Sequence, residues 1–158
     1  MKFNSSGGYF SALVTKKDTG KKIVSAHLKK NLLTLDGRDQ FHVSCYTATS
    51  TLTRGFGYIA LTTDTVAPAD TATTLAQELT VSGFSRADAT TKTHTNDTNS
   101  TTIEHTFTAS GTVNLIHKSA TANNAGTGVI IGHLAAFGTD ASLISGDTLK
   151  VTWTLNLG

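Results

Sequence analysis

The chain has 158 residues, of which 38% are hydrophobic and 15% charged, so it is long enough for one domain with a buried core and carries fewer charges than the roughly 25% usual in proteins. The 30 threonines and 13 serines fill this gap, and β-branched Thr favours strands over helices. Patterned apolar residues exclude a disordered chain, the single cysteine excludes an intrachain disulfide, and no apolar run approaches the ~20 residues that cross a bilayer. No apolar stretch of secretory length follows Met1, so we expect synthesis in a cytoplasm.

Charge is unevenly distributed along the chain. The first 30 residues hold seven lysines against one acid, Asp18, a net charge of +6, whereas residues 31–158 have a net charge of −4. We therefore predict a basic N-terminal arm or hairpin over residues 1–30 and a β-sandwich domain over residues 31–158. A solvated lysine-rich stretch without a partner explains the composition equally well. The lysines that we expect to meet a negatively charged partner are Lys16, Lys17, Lys21, Lys22, Lys29 and Lys30.

The N-terminal third contains a predicted hairpin followed by a predicted helix. Apolar residues over 9–14 and 21–28 indicate two strands, and Asp18-Thr19-Gly20 between them is typical of a turn. Residues 31–46 contain the best helix candidate, which we place at about 35–45, although Gly37 disfavours it. Cys45 lies in this segment, where a buried structural thiol is the expected role.

The middle of the chain alternates short apolar runs with loops. Residues 55–61 indicate a buried strand, and residues 62–72, with the single proline, indicate a loop. A single helical turn is predicted over 75–79 and a short strand over 79–84. Two polar strands are predicted over 85–94 and 100–107, joined by an Asn- and Asp-containing turn.

The C-terminal part has the clearest strand patterns. Short strands are predicted over 113–116 and 129–137, with an Ala/Asn/Gly loop over 119–128 between them. After a turn at Gly146-Asp147, apolar residues alternate with polar ones, which predicts that Trp153 points into the core. Seven to nine short strands with one or two small helices predict an all-β fold, a jelly-roll-like β-sandwich.

The sequence contains no recognisable catalytic or cofactor motif. A nucleophile elbow, a phosphate loop, a dinucleotide fingerprint and a zinc-binding Cys pair are all missing, and the carboxylates are scattered. His94 and His105 flank one predicted hairpin and could bind a metal with Asp88 or Glu104, but ordinary strand-face histidines are the favoured interpretation. We expect no enzyme activity, no cofactor and no metal.

The type of partner follows from the composition of the basic segment. It contains no Arg, and its aromatic residues precede the lysines rather than alternating with them, so base stacking is not supported. We expect an acidic protein surface as the partner in preference to nucleic acid, and we expect no membrane association.

The closing run, residues 143–155, resembles the last strand of small virion structural proteins of tailed bacteriophages. These proteins end on a Gly-Asp-(Thr/Ser)-Leu-x-Val-(Thr)-Trp-(Thr) pattern, present here from Gly146 to Thr154. The likeness covers about residues 31–158, and it departs from the pattern at residues 114–120, where His and Lys replace an acidic-Ala-Gly-Leu-Phe segment. The other similar segments, in the same order, are residues 31–39, 58–61, 67–68, 73–79 and 106–109.

The resemblance implies a non-catalytic virion component made in the host cytoplasm. The role expected first is a capsid decoration (cement) protein that binds the assembled head beside the major capsid protein, as a homo-oligomer in which a trimer is favoured. A tail, neck or fibre component that contacts the host surface is the second expectation. A carbohydrate-binding module outside any virion is the third, and it rests only on analogy of fold.

Overall fold

The protein is a sandwich of two antiparallel five-stranded sheets, seen in a computed structural model that describes residues 8–30, 32–35, 37, 56–94, 100–123 and 131–156. The all-β sandwich predicted from the sequence is confirmed. The strands of these residues are β1 (Tyr9–Thr15), β2 (Lys22–Lys30), β3 (Leu32–Leu33), β4 (Tyr58–Thr62), β5 (Ala87–Asp88), β6 (Thr91–His94), β7 (Ser100–Thr108), β8 (Val113–Ala122), β9 (Ile131–Leu143) and β10 (Thr148–Asn156).

Strand pairing places the basic N-terminal segment inside the sandwich. The first sheet has the order β2-β1-β10-β7-β6 and the second has the order β3-β9-β8-β4-β5. β1 pairs with β2 on one side and with the last strand, β10, on the other, from Tyr9↔Thr154 to Thr15↔Thr148. Residues 9–30 are therefore a hairpin that forms two of the five strands of the first sheet.

The core lies between the two sheets and follows the period of two in the sequence. Leu149, Val151 and Trp153 of β10 are fully buried, while the residues between them face outward. The ring of Phe10 lies 5.0 Å from that of Trp153, centroid to centroid, and Nε1 of Trp153 donates a hydrogen bond across the sandwich to Oγ of Ser119 at 3.2 Å. Burying each such side chain contributes about 1.5–3 kcal/mol, so these residues hold the sheets together.

The long loop between β4 and β5, residues 63–86, covers the outer face of the second sheet. Ala72 and Leu75 of this loop pack on a small cluster formed by Ala120, Ile131 and Leu134. Lys118, only 4% exposed, extends its Nζ to Oδ2 of Asp64 and to the carbonyl of Val66, both at 2.5 Å. The hydrogen bond from Lys118 lowers the pKa of Asp64 below its ordinary value. The buried lysine thus fixes the loop by pairing with its carboxylate.

The outer face of the first sheet carries rows of threonines. Thr102 lies between Thr93 of β6 and Thr154 of β10, and Thr108 pairs with Thr148. Cross-strand Thr pairs stabilise antiparallel sheets by roughly 0.2–1 kcal/mol each. This face accounts for part of the high Thr content.

Several predicted elements differ in the structure. The strand predicted over 85–94 is divided into β5 of the second sheet and β6 of the first, and the strand predicted over 129–137 continues to Leu143. Residues 75–79, predicted as a helical turn, form instead a turn at Gln77 (φ +49°) and a bridge from Glu78 to Thr62. Residues 79–84 are not a strand, because Ser82 and Gly83 both adopt positive φ and turn the chain. Residues 119–122, predicted as a loop, continue β8 to Ala122.

The predicted helix at 35–45 lies almost wholly outside the described residues, as do Cys45 and the turn at 95–99. Within the described residues, no helix is long and apolar enough to cross a membrane.

Candidate interaction surface

Four loops meet at one end of the sandwich, and hydrogen bonds of the backbone and of one side chain join them. We call residues 16–21, 81–83, 109–112 and 144–147 the turn end. The amide of Gly146 donates to the carbonyl of Ala109 at 2.7 Å, and the amide of Ala109 donates to the carbonyl of Asp147 at 2.9 Å. The amide of Ser110 donates to the carbonyl of Ser82 at 3.0 Å, which adds the third loop. The fourth loop, residues 16–21, is joined through the side chain of Asp147, which accepts a hydrogen bond from the amide of Lys17 at 2.9 Å. The loops therefore form one connected surface.

A buried carboxylate organises this end. Asp147 is 1% exposed, and its oxygens accept hydrogen bonds from Nζ of Lys16 at 2.6 Å, the amide of Lys17 at 2.9 Å and the amide of Ile144 at 3.1 Å. The hydrogen bond from Lys16, with those from the two amides, lowers the pKa of Asp147 to about 2. Because Nζ of Lys16 also donates to the carbonyl of Ser142 at 2.8 Å, this lysine is part of the fold.

Exposed cations lie in the loop of Lys16 and directly after it. Lys17, Lys21 and Lys22 are exposed, and none of them forms a salt bridge within the described part of the chain. The loop that presents them is closed by hydrogen bonds from the Lys16 amide to the Lys21 carbonyl at 2.9 Å and from Gly20 back to Lys16 at 2.8 Å. The side chain of Lys17 lies along Gly146, where a Cβ would approach its Cδ to 2.3 Å.

The six lysines singled out from the sequence do not form one patch. Lys29 and Lys30 lie opposite Phe10 and Tyr9, at the far end of the hairpin from Lys22. Eight residues of β2 separate these ends, about 25 Å at roughly 3.3 Å per residue. Only the backbones of Lys29 and Lys30 are described. The turn end therefore holds Lys17 and Lys21 as exposed cations and Lys16 as a paired one, and the exposed Lys22 follows directly at the start of β2.

Large apolar side chains are also exposed at or next to the turn end. Val81 is 63% exposed and Ile144 is 50% exposed, and each is the first residue of a turn, at Val81–Phe84 and Ile144–Asp147. Leu115, at the start of β8, is 51% exposed and has a φ of +59°, a left-handed conformation that costs an L-residue roughly 1–2 kcal/mol. Exposed apolar side chains that lie close together on a surface are typical of binding sites.

The histidine pair considered as a metal site is not assembled. His94 is exposed and its Nδ1 lies 3.0 Å from the carbonyl of Ser100, whereas His105 packs edge-on against Phe107 with 4.6 Å between ring centroids. His94 pairs with Thr101, four residues from His105, about 13 Å along β7. Among the described residues, no three His, Cys, Asp or Glu side chains are placed to hold a metal ion.

A third histidine lies in the interior, next to the tryptophan. The ring centroid of His133 is 6.2 Å from that of Trp153 and 6.4 Å from that of Phe56, and the Oγ of Thr121 lies 3.2 Å from its Nδ1. Burial lowers the pKa of His133 to about 4, so the ring is neutral at pH 7. A neutral ring with a hydroxyl neighbour fits a role in core packing.

No protein family, curated protein or solved structure matches the chain. Its function must therefore be argued from its own surfaces. Among the described residues, the turn end combines exposed lysines with exposed apolar side chains on a hydrogen-bonded frame. Such a surface suits docking on protein, because apolar burial supplies affinity while the charges set orientation and rate of encounter.

Proposed function

We propose that the chain is a structural protein of a tailed-bacteriophage virion that binds the assembled head as a capsid decoration protein. It is made in the host cytoplasm and taken up into the virion, with the major capsid protein as its partner. The observation that carries the proposal is the turn end, where the exposed Lys17 and Lys21 and the exposed Ile144 and Val81 belong to four connected loops.

The turn end is built as a rigid contact surface. Its loops are held through Asp147, which connects the N-terminal hairpin to the last hairpin of the chain. A surface that is ordered before binding loses less conformational entropy when it docks. The exposed lysines attract a surface that bears carboxylates. The exposed side chains of Val81 and Ile144 can pack into an apolar depression in that surface.

The remaining support comes from composition and from the resemblance of residues 143–155 to virion proteins. A low charge content lowers the cost of removing a surface from water in a crowded assembly. A protein that binds only the assembled head stabilises that head by mass action, which is the physical basis of a cement role.

The proposal is tested by adding the purified chain to heads of the phage whose genome carries the gene. We expect saturable co-sedimentation and a rise in the melting temperature of the heads. The double variant Lys17→Glu/Lys21→Glu should bind about tenfold more weakly, because it reverses two charges at the contact. Heads that neither bind the chain nor gain stability from it would overturn the proposal.

A matched pair of single variants controls for net charge. Lys21→Glu and Lys92→Glu change the total charge equally, and both lysines are exposed, but Lys92 lies on β6, outside the turn end. Because Lys92 pairs with Asp88 at 2.5 Å, thermal unfolding of Lys92→Glu is measured first to establish that this control is folded. Only Lys21→Glu should weaken binding, and Asp18→Lys in the same loop should strengthen it. Equal effects of Lys21→Glu and Lys92→Glu would show that net charge alone is involved. Immunogold label at the tail instead of over the head would favour the tail, neck or fibre role.

A further inference from the structure

A groove lies on the outer face of the first sheet, away from the turn end. Its volume is about 300 Å³, and it is lined by Ser11, Leu13, Val24, His27, Lys150 and Thr152, with Ala12 and Ala26 below. The strands that form it are β1, β2 and β10. In β1 and β10 the side chains opposite to these outward residues, such as Phe10 and Trp153, fill the core.

The groove exists because β2 is irregular. Phe10 pairs with Lys29, Ala12 with Ala26 and Leu13 with Val24, so β2 contains an extra residue on each side of Ala26. Such bulges bend a strand away from regular pairing. Ser25 and Ala26 are turned inward, at 2% and 3% exposure, while Val24 projects outward at 56% exposure. An apolar projection therefore stands directly beside an apolar groove.

The charges at the centre of this face are already neutralised. Nζ of Lys150 lies 2.8 Å from Oε2 of Glu104, which also accepts a hydrogen bond from Oγ1 of Thr152 at 3.0 Å. Around them the outward positions of β7 and β10 are threonines, among them Thr102, Thr106 and Thr154. Burying a paired cation and anion among hydroxyls costs much less than burying either charge alone.

We infer that this face, with the groove and Val24, is a contact between two copies of the chain related by a twofold axis. Projection and groove belong to one patch, which is the requirement for a self-complementary contact: Val24 of each copy enters the groove of the other. The twofold operation also brings the Lys150–Glu104 pair of one copy towards that of the other, with opposite charges able to face each other.

The size of the face is sufficient for such a contact. Five strands about 4.8 Å apart and seven residues of about 3.3 Å each give a face about 20–25 Å on a side. A twofold contact then removes on the order of 1,000 Å² from water, near the lower limit of specific interfaces. The dimer should therefore be in reversible equilibrium with the monomer. A closed trimer, which the resemblance implies, would instead require two different patches on each copy.

Sedimentation-velocity analysis of the full chain over a series of concentrations tests the inference. The wild type should pass from monomer to dimer with rising concentration. Val24→Lys should remain monomeric, because it places a charge in the groove of the partner copy. Val81→Lys is the matched control, since Val81 is 63% exposed but lies at the turn end, and it should dimerise like the wild type.

A second variant separates loss of contact from loss of fold. Val24→Ala removes only the tip of the projection and should weaken the dimer about tenfold while leaving the thermal unfolding of the monomer unchanged. A wild type that stays monomeric, a wild-type trimer, or a dimer that Val24→Lys leaves intact would each overturn the inference. None of these results depends on whether the chain binds phage heads.

Discussion

Lys16 and Asp147 lie 131 residues apart in the sequence, and their side chains meet at 2.6 Å beneath the turn end. The pair joins the loop after β1 to the loop before β10, the two strands that lie side by side at the centre of the first sheet. Because Asp147 also accepts hydrogen bonds from the amides of Lys17 and Ile144, one carboxylate fixes both loops. The surface that we assign to docking thus depends on a buried ion pair.

Replacing Asp147 should destabilise the fold strongly. Asp147→Asn keeps the size of the side chain but leaves Lys16 without its anion and removes an acceptor from the buried amides, which should cost about 2–4 kcal/mol of unfolding free energy. Urea unfolding followed by circular dichroism measures the change. Asp18→Asn, at an exposed position in the adjacent loop, should change the midpoint little. Equal midpoints for the two variants would contradict a structural role for the ion pair.

Acid should destabilise the protein through the same carboxylate. Its pKa is about 2 in the folded protein, against an ordinary value of 3.8, so the unfolded chain takes up the proton first. The stabilisation is complete above about pH 4 and is lost as the pH falls towards 2. Unfolding free energies measured at intervals of pH should therefore decline over this range in the wild type and more weakly in Asp147→Asn. Parallel declines in both proteins would contradict the assignment.

A second, higher pH transition is expected from His133. Its pKa of about 4 in the folded protein lies below the ordinary 6.5, so the unfolded state binds the proton first as the pH falls below 6.5. Stability should decrease by about 3 kcal/mol between pH 6.5 and 4. His133→Gln should remove most of this slope, whereas His27→Gln, at an exposed position, should keep it. A slope unchanged in His133→Gln would show that another group is responsible.

Two glycines in left-handed conformations provide a matched test of the turn end. Gly146 has φ +90°, and an added Cβ would approach Cδ of Lys17 to 2.3 Å, whereas Gly20 has φ +64° with nothing within 4 Å. Gly20→Ala should cost about 1 kcal/mol from backbone strain alone. Gly146→Ala should cost a few tenths of a kcal/mol more (~0.5), because the flexible Lys17 side chain must also move aside. Equal unfolding midpoints would show that the contact with Lys17 has no energetic weight.

The sequence predicted strands best where one face is buried and the other is wet. In β10 polar and apolar residues alternate strictly, so the outward Thr and Lys residues show that Leu149, Val151 and Trp153 between them are buried. The end of β8 was missed because Ser119, Ala120 and Thr121 are all buried, one side by the core and the other by the covering loop. A strand covered on both faces has no alternation to detect.

The candidate site could be predicted only in part. The high lysine content of residues 1–30 located the basic hairpin. The ion pair between Lys16 and Asp147 could not be predicted, because the two residues are far apart in the sequence and no local pattern connects them. The strained Leu115 carries no sequence signal, because its conformation follows from the register shift between β8 and β9. Exposed apolar residues at turns become visible only when strand register is known.

The run that resembles phage virion proteins has a clear folding role. Gly146 supplies a positive φ, Asp147 binds two loops, and Trp153 fills the core and reaches Ser119. The run therefore contains residues that this sandwich needs in order to fold, whatever its biological role. The biological role therefore requires a test that is independent of the run.

Electron cryomicroscopy of heads incubated with the purified chain tests that role most directly, because it gives both location and orientation. The account predicts density for the sandwich on the outer shell, with the Ile144 and Val81 loops against the capsid surface and Lys17 and Lys21 facing carboxylates. Bare shells at saturating protein, or density attached through another face of the sandwich, would contradict it.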